Sequence, residues 1–221
     1  MRERIKSMVY NPAIHHRRSI RKKGFDYSSN GLYFVTICVS KFAHLFGKIM
    51  QGEMVYSDSG RIAQQQYEKL EEHFPGIELD VFQVMPNHVH GIIRIDHPVG
   101  ARLAPALENP FSGQPLEKGK IISTSQTLER DKFKIFDENK RAGASPTPTA
   151  KTLGNIIGAY KSFVSHRCLE LFKIENPDKT MGKLWQRNYH EHIIRNETSH
   201  IHIRNYIINN PQKWDTDTFF R

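Results

Sequence analysis

The sequence predicts an α+β fold of the ferredoxin-like kind: a βαββαβ antiparallel sheet with helices on one face, plus a C-terminal helix that carries a tyrosine. Three observations predict it. Runs rich in β-branched and aromatic residues recur at 32–39, 77–85, 88–95 and 184–194. Apolar stripes at helical spacing fall between them at 61–73 and 152–172. A final helical stretch begins at a capping residue, Asn196 or Thr198, and runs to Pro211. The order of the first six elements is that of two βαβ-like halves folded into one sheet.

Each element has a local cause. Residues 1–30 form a basic arm with little apolar periodicity, which needs a partner to become ordered. The segment Leu32-Tyr33-Phe34-Val35-Thr36-Ile37-Cys38-Val39 reads as a well-buried strand. A turn-rich, hairpin-like stretch follows, with Gly47, Gly52 and Ser57-Asp58-Ser59-Gly60. In the next helix Ile62, Ala63, Gln66, Tyr67 and Leu70 approximate one stripe, and Pro75-Gly76 stops it. Pro86-Asn87 separates the strands at 77–85 and 88–95 as a tight turn. Residues 98–150 hold six of the 11 prolines and little periodicity, so they read as a long flexible insert. The helix at 152–172 presents Leu153, Ile156, Ile157, Tyr160, Phe163, Val164, Cys168 and Leu171 on one broad face. The domain therefore spans 31–214, interrupted at about 98–150, with a tail at 215–221.

Composition limits the function. At 221 residues and 38% hydrophobic content the chain suits one domain. Its net charge of +9 favours an anionic partner, and nucleic acid ranks above a membrane because no amphipathic basic anchor is visible. No apolar run is long enough to cross a bilayer, and the N-terminal MRERIKSMVYNP lacks the apolar region of a secretory signal. Two cysteines cannot make a disulfide framework or, alone, a thiolate zinc site, so a cytoplasmic setting is expected. The unusual count is 12 histidines.

Three His-x-His pairs differ in local geometry. In His88-Val89-His90 the surroundings are strand-like, so both imidazoles point to one face and can reach one divalent ion. Two such donors with open positions suit an ion that must also take phosphate oxygens. His200-Ile201-His202 is helical; its rings stand about 200° apart around the axis and cannot chelate. His190-Glu191-His192 lies in a strand but lacks the tight turn. On the final helix, Tyr206 and Asn210 are four apart and share a face with His202. Asn205, Asn209 and Asn210 make a polar neighbourhood that is odd for a buried ring. A phenol is a poor nucleophile at its ordinary pKa of about 10. It becomes effective when a metal takes up charge on a phosphodiester.

The stretches VMPNHVHGIIRI, LWQRNYHEHIIRN and IRNYIINNPQKW resemble the single-tyrosine HUH transposases of bacterial insertion sequences, and most closely their REP-associated branch. The resemblance covers most of 31–97 and 151–214 and leaves out the arm and the insert. It implies that His88 and His90 bind Mg²⁺ or Mn²⁺, with Asn210 as a third, helix-borne ligand. It implies that Tyr206 attacks a DNA phosphate, forming a 5′-phosphotyrosine and releasing a 3′-OH. His190 departs from the usual aromatic at its position, and Tyr189 is a rival nucleophile on a strand. The implied partner is structured single-stranded DNA, in hairpins or palindromic repeats. Family members act either as homodimers with shared sites or as monomers, and the sequence leaves both open.

DNA binding is expected to rest on charge: Arg17, Arg18, Arg21, Lys22 and Lys23 in the arm, and Lys161, Arg187, Arg195 and Arg204 near the site. Two other readings stand beside the transposase. One is a non-catalytic nucleic-acid-binding module on the same fold, since fold does not fix function. The other is a domesticated nickase that processes host repeats.

Overall fold

The computed structural model describes residues 21–96 and 152–220. Arg17, Arg18 and the insert at 98–150 lie outside the described residues. Strands β1 (Gly31–Cys38), β4 (Ile77–Met85), β5 (His88–Ile95) and β6 (His190–Ile194) form one sheet in the order β4-β5-β1-β6, and all three pairings are antiparallel. This is the ferredoxin-like order that the sequence predicts. Between β1 and β4 lie a two-stranded hairpin, β2 (Gly47–Met50) and β3 (Glu53–Tyr56), then α1 (Asp58–Glu68) and the single turn α2 (Leu70–His73). Helix α3 (Leu153–Glu175) follows the insert, and α4 (Glu197–Asn209) runs into a 3-10 turn at Pro211–Thr216. No helix among the described residues is long and apolar enough to cross a membrane.

The helix boundaries follow from side-chain caps. Ser57 accepts from Gly60 N, Thr152 from Asn155 N, and Asn196 from Ser199 N. Helix α1 thus begins at Asp58, three residues before the sequence-based start. The expected strand within 184–194 is confined to 190–194, with Trp185 bridging Val39 separately.

Strand alternation divides the sheet into two faces. Tyr33, Val35 and Ile37 of β1 and Val89, Ile93 and Ile95 of β5 pack with Ile62, Ala63, Tyr67, Ile156, Tyr160 and Val164 of α1 and α3. Gly91 lies on this face because a Cβ there would come within 2.7 Å of the Tyr67 hydroxyl oxygen and 3.0 Å of the Phe82 ring. The Tyr67 and Phe82 rings stack at 3.7 Å, and Tyr67 Oη donates to Ile92 O. The opposite face carries α4, whose Ile207 packs with Leu32, Val81, Ile92 and Ile194. Helices therefore cover both faces: α1 and α3 one, α4 the other.

A β-bulge positions α4. The register of β4 against β5 shifts between Leu79 and Phe82. Leu79 and Phe82 both face α1 and α3, so Asp80 and Val81 both turn toward α4. The Asp80 side chain is fully buried. His200 Nε2 donates to Asp80 Oδ2 at 2.6 Å, and Arg204 Nε donates to Oδ1 at 3.0 Å. Both donors are on α4, one turn apart. Burial by itself would raise the Asp80 carboxyl, but these two hydrogen bonds and charges outweigh it and hold it below the ordinary 3.8.

Asp80→Asn is therefore expected to lower stability at pH 7 by about 2 kcal/mol, read from urea midpoints. A carboxyl with a depressed folded pKa contributes stability above its unfolded value of 3.8 and loses it as pH falls through the folded value. The gap between wild type and variant should thus narrow below that pH. A gap of constant size from neutral to acid pH contradicts the ion-pair role.

Candidate active site

The site begins at the turn between β4 and β5. His88 and His90 share the α4 face of β5, and both are completely buried. Their Nε2 atoms lie 2.9 Å apart. Each ring is held at its other nitrogen. Asn87 Nδ2 donates to Phe219 O, which turns Asn87 Oδ1 toward His88 Nδ1 at 2.8 Å. His88 Nδ1–H therefore donates, and its Nε2 carries the lone pair. His90 Nδ1 lies 2.8 Å from Thr36 Oγ1, directly across the β1–β5 pair. A hydroxyl rotates to suit, so Thr36 can accept from Nδ1–H and leave His90 Nε2 bare as well. Burial holds His88 down to about 4, with Asp217 pulling the other way. Burial and the neighbouring His88 hold His90 well below the usual imidazole range. Both rings are thus neutral at physiological pH, the state in which imidazole ligates a metal.

Helix α4 delivers the phenol. Tyr206 Oη is 3.3 Å from His90 Nε2, and the rings meet at 5.2 Å between centroids. The Phe34 ring packs edge-on at 6.2 Å. Tyr206 Oη donates to Asp217 Oδ2 at 3.2 Å, and Asn210 Nδ2 donates to the same oxygen at 2.6 Å. The tyrosine hydroxyl is raised above its ordinary value of 10, first by burial and then by the Asp217 carboxylate. The phenol, both imidazoles and Asn210 therefore lie together within one chain, the grouping that the family resemblance implied.

Asp217 is a candidate site residue that the sequence reading missed, since 215–221 read as a tail. Its carboxylate, His88 and His90 form a group whose ligand atoms lie within 4.8 Å of one another. Pro211 ends α4, the 3-10 turn reverses the chain, and Trp214 anchors it against His88 and His44. Asp217 Oδ1 then accepts from Phe219 N, which fixes the carboxylate. Its 11-residue separation from Tyr206 is about three helical turns, but α4 ends at Asn209 and does not carry it; the Pro211 stop and Trp214 are the sequence features that hint at the chain folding back.

The donor set could hold a divalent metal ion. Two imidazole nitrogens and a carboxylate face one point, and Asn210 Oδ1 is buried without a hydrogen-bond partner. The residues flanking them line a groove of about 440 Å³ beside Tyr206, including His202, Asn205, Asn209 and Lys213.

The basic candidates divide. Arg204 is committed to Asp80, because the bulge brings that buried carboxylate under its guanidinium. Lys161 Nζ donates to the carbonyls of Gln186, Arg187 and Asn188, so its three N–H donors shape the loop before β6. Burial lowers it to about 8. Arg21 pairs with Glu191 and lies over the Tyr189 ring, 3.3 Å from its centroid. Tyr189, the rival nucleophile, is buried beneath that contact. Lys22, Lys23, Arg187 and Arg195 are exposed.

The hydrogen bond from His88 Nδ1 to Asn87 Oδ1 carries a testable consequence. Asn87→Ala keeps both imidazoles but removes the acceptor on His88 Nδ1. It is expected to weaken Mn²⁺ binding by about 10- to 100-fold in calorimetry, while Asn87→Asp, which keeps an acceptor, retains most of the affinity. Equal affinity of wild type and Asn87→Ala would show that the turn does not orient the ligand.

No protein-family model matches the chain. Among solved structures, a REP-associated tyrosine transposase bound to a REP hairpin is similar, with 16% identity and a TM-score of 0.47 over 90% of this chain and 74% of the other. An uncharacterised protein of Haemophilus influenzae is 35% identical over 214 residues, which span 96% of this chain and 97% of the relative. Identity of that extent over nearly the whole of both chains shows common descent, and the protein belongs to the same family as this Haemophilus influenzae protein.

Proposed function

We propose that the protein is a metal-dependent DNA transposase and endonuclease of the single-tyrosine HUH kind. It cleaves and rejoins single-stranded, hairpin-forming DNA through a 5′-phosphotyrosine on Tyr206. One observation carries this reading: the Tyr206 hydroxyl lies 3.3 Å from an imidazole nitrogen that is itself 2.9 Å from a second, with both rings buried and neutral. A module that only binds nucleic acid has no use for two desolvated imidazoles aimed at a phenol.

Mg²⁺ or Mn²⁺ is the expected ion, with His88, His90, Asp217 and Asn210 as the residues to hold it. When bound, it supplies Lewis acidity toward the scissile phosphate. The residues of the chain do the rest. Tyr206 is raised by burial and by Asp217, so its hydroxyl stays protonated until the attack. Asp217 Oδ2 already accepts that O–H and is the natural proton acceptor. The Tyr206 oxygen forms a bond to phosphorus, the P–O3′ bond breaks, and the departing 3′-oxygen takes a proton from solvent. The strand's 5′ phosphate stays on Tyr206. An incoming 3′-OH reverses the step, expelling the phenolate, which recovers its proton through Asp217. The ester conserves the bond energy, so joining needs no nucleotide cofactor. Because Tyr206 meets His90 of the same chain, the geometry supports a tyrosine acting in cis.

Tyr206→Phe is expected to abolish the covalent protein–DNA adduct on denaturing gels while leaving hairpin binding nearly intact. An adduct that survives moves the nucleophile elsewhere. Asp217→Asn should slow adduct formation by about 10²- to 10⁴-fold at unchanged DNA affinity. A rate near that of wild type removes Asp217 from the proton path.

A further inference from the structure

Among the described residues α4 packs chiefly on β4 and β5, and although its Ile207 also buries Leu32 of β1 and Ile194 of β6, the same face ends on exposed side chains at the edge strand β6. Ile194 of β6 packs into the α4-side cluster, so His192 and His190, two and four residues earlier, share that face. Register sets His192 directly opposite Phe34 of β1 and His190 opposite Thr36. Both histidines are exposed, and Phe34 is half-buried. Phe34 touches the site already described, packing against His90 at 5.4 Å and Tyr206 at 6.2 Å between ring centroids. Flat side chains therefore lie along this face from Tyr206 through Phe34 to its cross-strand partner His192 at the sheet edge.

Cations stand at the far end. His192 also lines a groove of about 470 Å³ with Lys22, Arg195, Asn196 and Ser199. Lys22 and Arg195 are exposed there, on a chain of net charge +9. From β5 to β6 is two strand spacings, about 10 Å, which a few unpaired nucleotides bridge.

We infer that Phe34 and His192, with His190 beside them, form a stacking surface for the unpaired bases flanking the scissile phosphate, with Arg195 and Lys22 receiving the next phosphates. This rests on the reading of Tyr206 as a nucleophile on single-stranded DNA and adds where the flank runs. Ring faces accept every base, so the surface discriminates single strand from duplex rather than one sequence from another. A paired base cannot offer its face to the sheet.

Fluorescence anisotropy of the full chain, in EDTA to prevent cleavage, tests it with two labelled probes: an oligo(dT) single strand and a blunt duplex with the same number of phosphates. Wild type should prefer oligo(dT). The double variant His190→Ala/His192→Ala should bind oligo(dT) about fivefold or more weakly, with duplex binding and melting temperature unchanged. His192→Phe, which restores a flat ring, should recover the preference. A variant that loses affinity for both probes equally would reduce the histidines to a general surface effect and overturn the inference, as would an undiminished preference. Adduct formation by the same wild-type preparation separates the two readings. Adduct without single-strand preference sinks the stacking surface alone, whereas absence of adduct on hairpin DNA with Mn²⁺ sinks the nucleophile reading.

Discussion

A buried carboxylate holds the molecule's two chemical halves together. His88 and His90 belong to the middle of the sheet, and Tyr206 belongs to a helix more than a hundred residues later, beyond the insert. Nothing local relates them. Asp80, turned toward α4 by the bulge in β4, receives His200 and Arg204 from one stripe of that helix. Val81, displaced to the same side, packs with Ile207 and Ile92. The ion pair and the small apolar patch fix both the position and the rotation of α4. Tyr206 then projects over His90 as a consequence of helical spacing. A rotation of α4 by one residue would carry the phenol roughly 100° away from the imidazoles.

On the proposed reading the site couples two requirements that burial sets against each other. An imidazole pair that binds metal must be neutral, and a phenol that attacks phosphorus must lose a proton. Burial favours the first and hinders the second, as the lowered imidazoles and the raised tyrosine both record. Asp217 addresses the hindrance by standing in contact with the hydroxyl as an acceptor. Its charge also raises the phenol. A divalent ion beside it would neutralise that charge, so the groups that would hold the ion also govern when the nucleophile becomes reactive.

Much of this was legible in the sequence where chemistry is local. The strands at 77–85 and 88–95, the turn between them, the helix beginning near 152, the cap at Asn196 as one of two candidates and the pairing of Tyr206 with Asn210 all follow from short-range spacing or turn chemistry. What escaped depends on contacts between distant segments. Arg204 looks like a free cation until the β4 bulge brings Asp80 beneath it, and a bulge leaves no periodic mark. Lys161 looks like a phosphate ligand until the loop before β6 wraps three carbonyls around it. Asp217 looks like part of a tail because a kinked six-residue 3-10 turn, too short for its period to be read, returns it to the site.

The central claim is that the oxygen of Tyr206 becomes esterified to DNA beside the His88–His90 pair. The most direct measurement is mass spectrometry of proteolytic peptides after incubation with hairpin DNA and Mn²⁺, followed by nuclease trimming of the attached strand. The account predicts a residual 5′-nucleotide on the peptide that contains Tyr206, with fragmentation localising it to that side chain. The same mass on the Tyr189 peptide, or a fully processed digest in which cleaved DNA is present and no peptide carries a nucleotide, would contradict it.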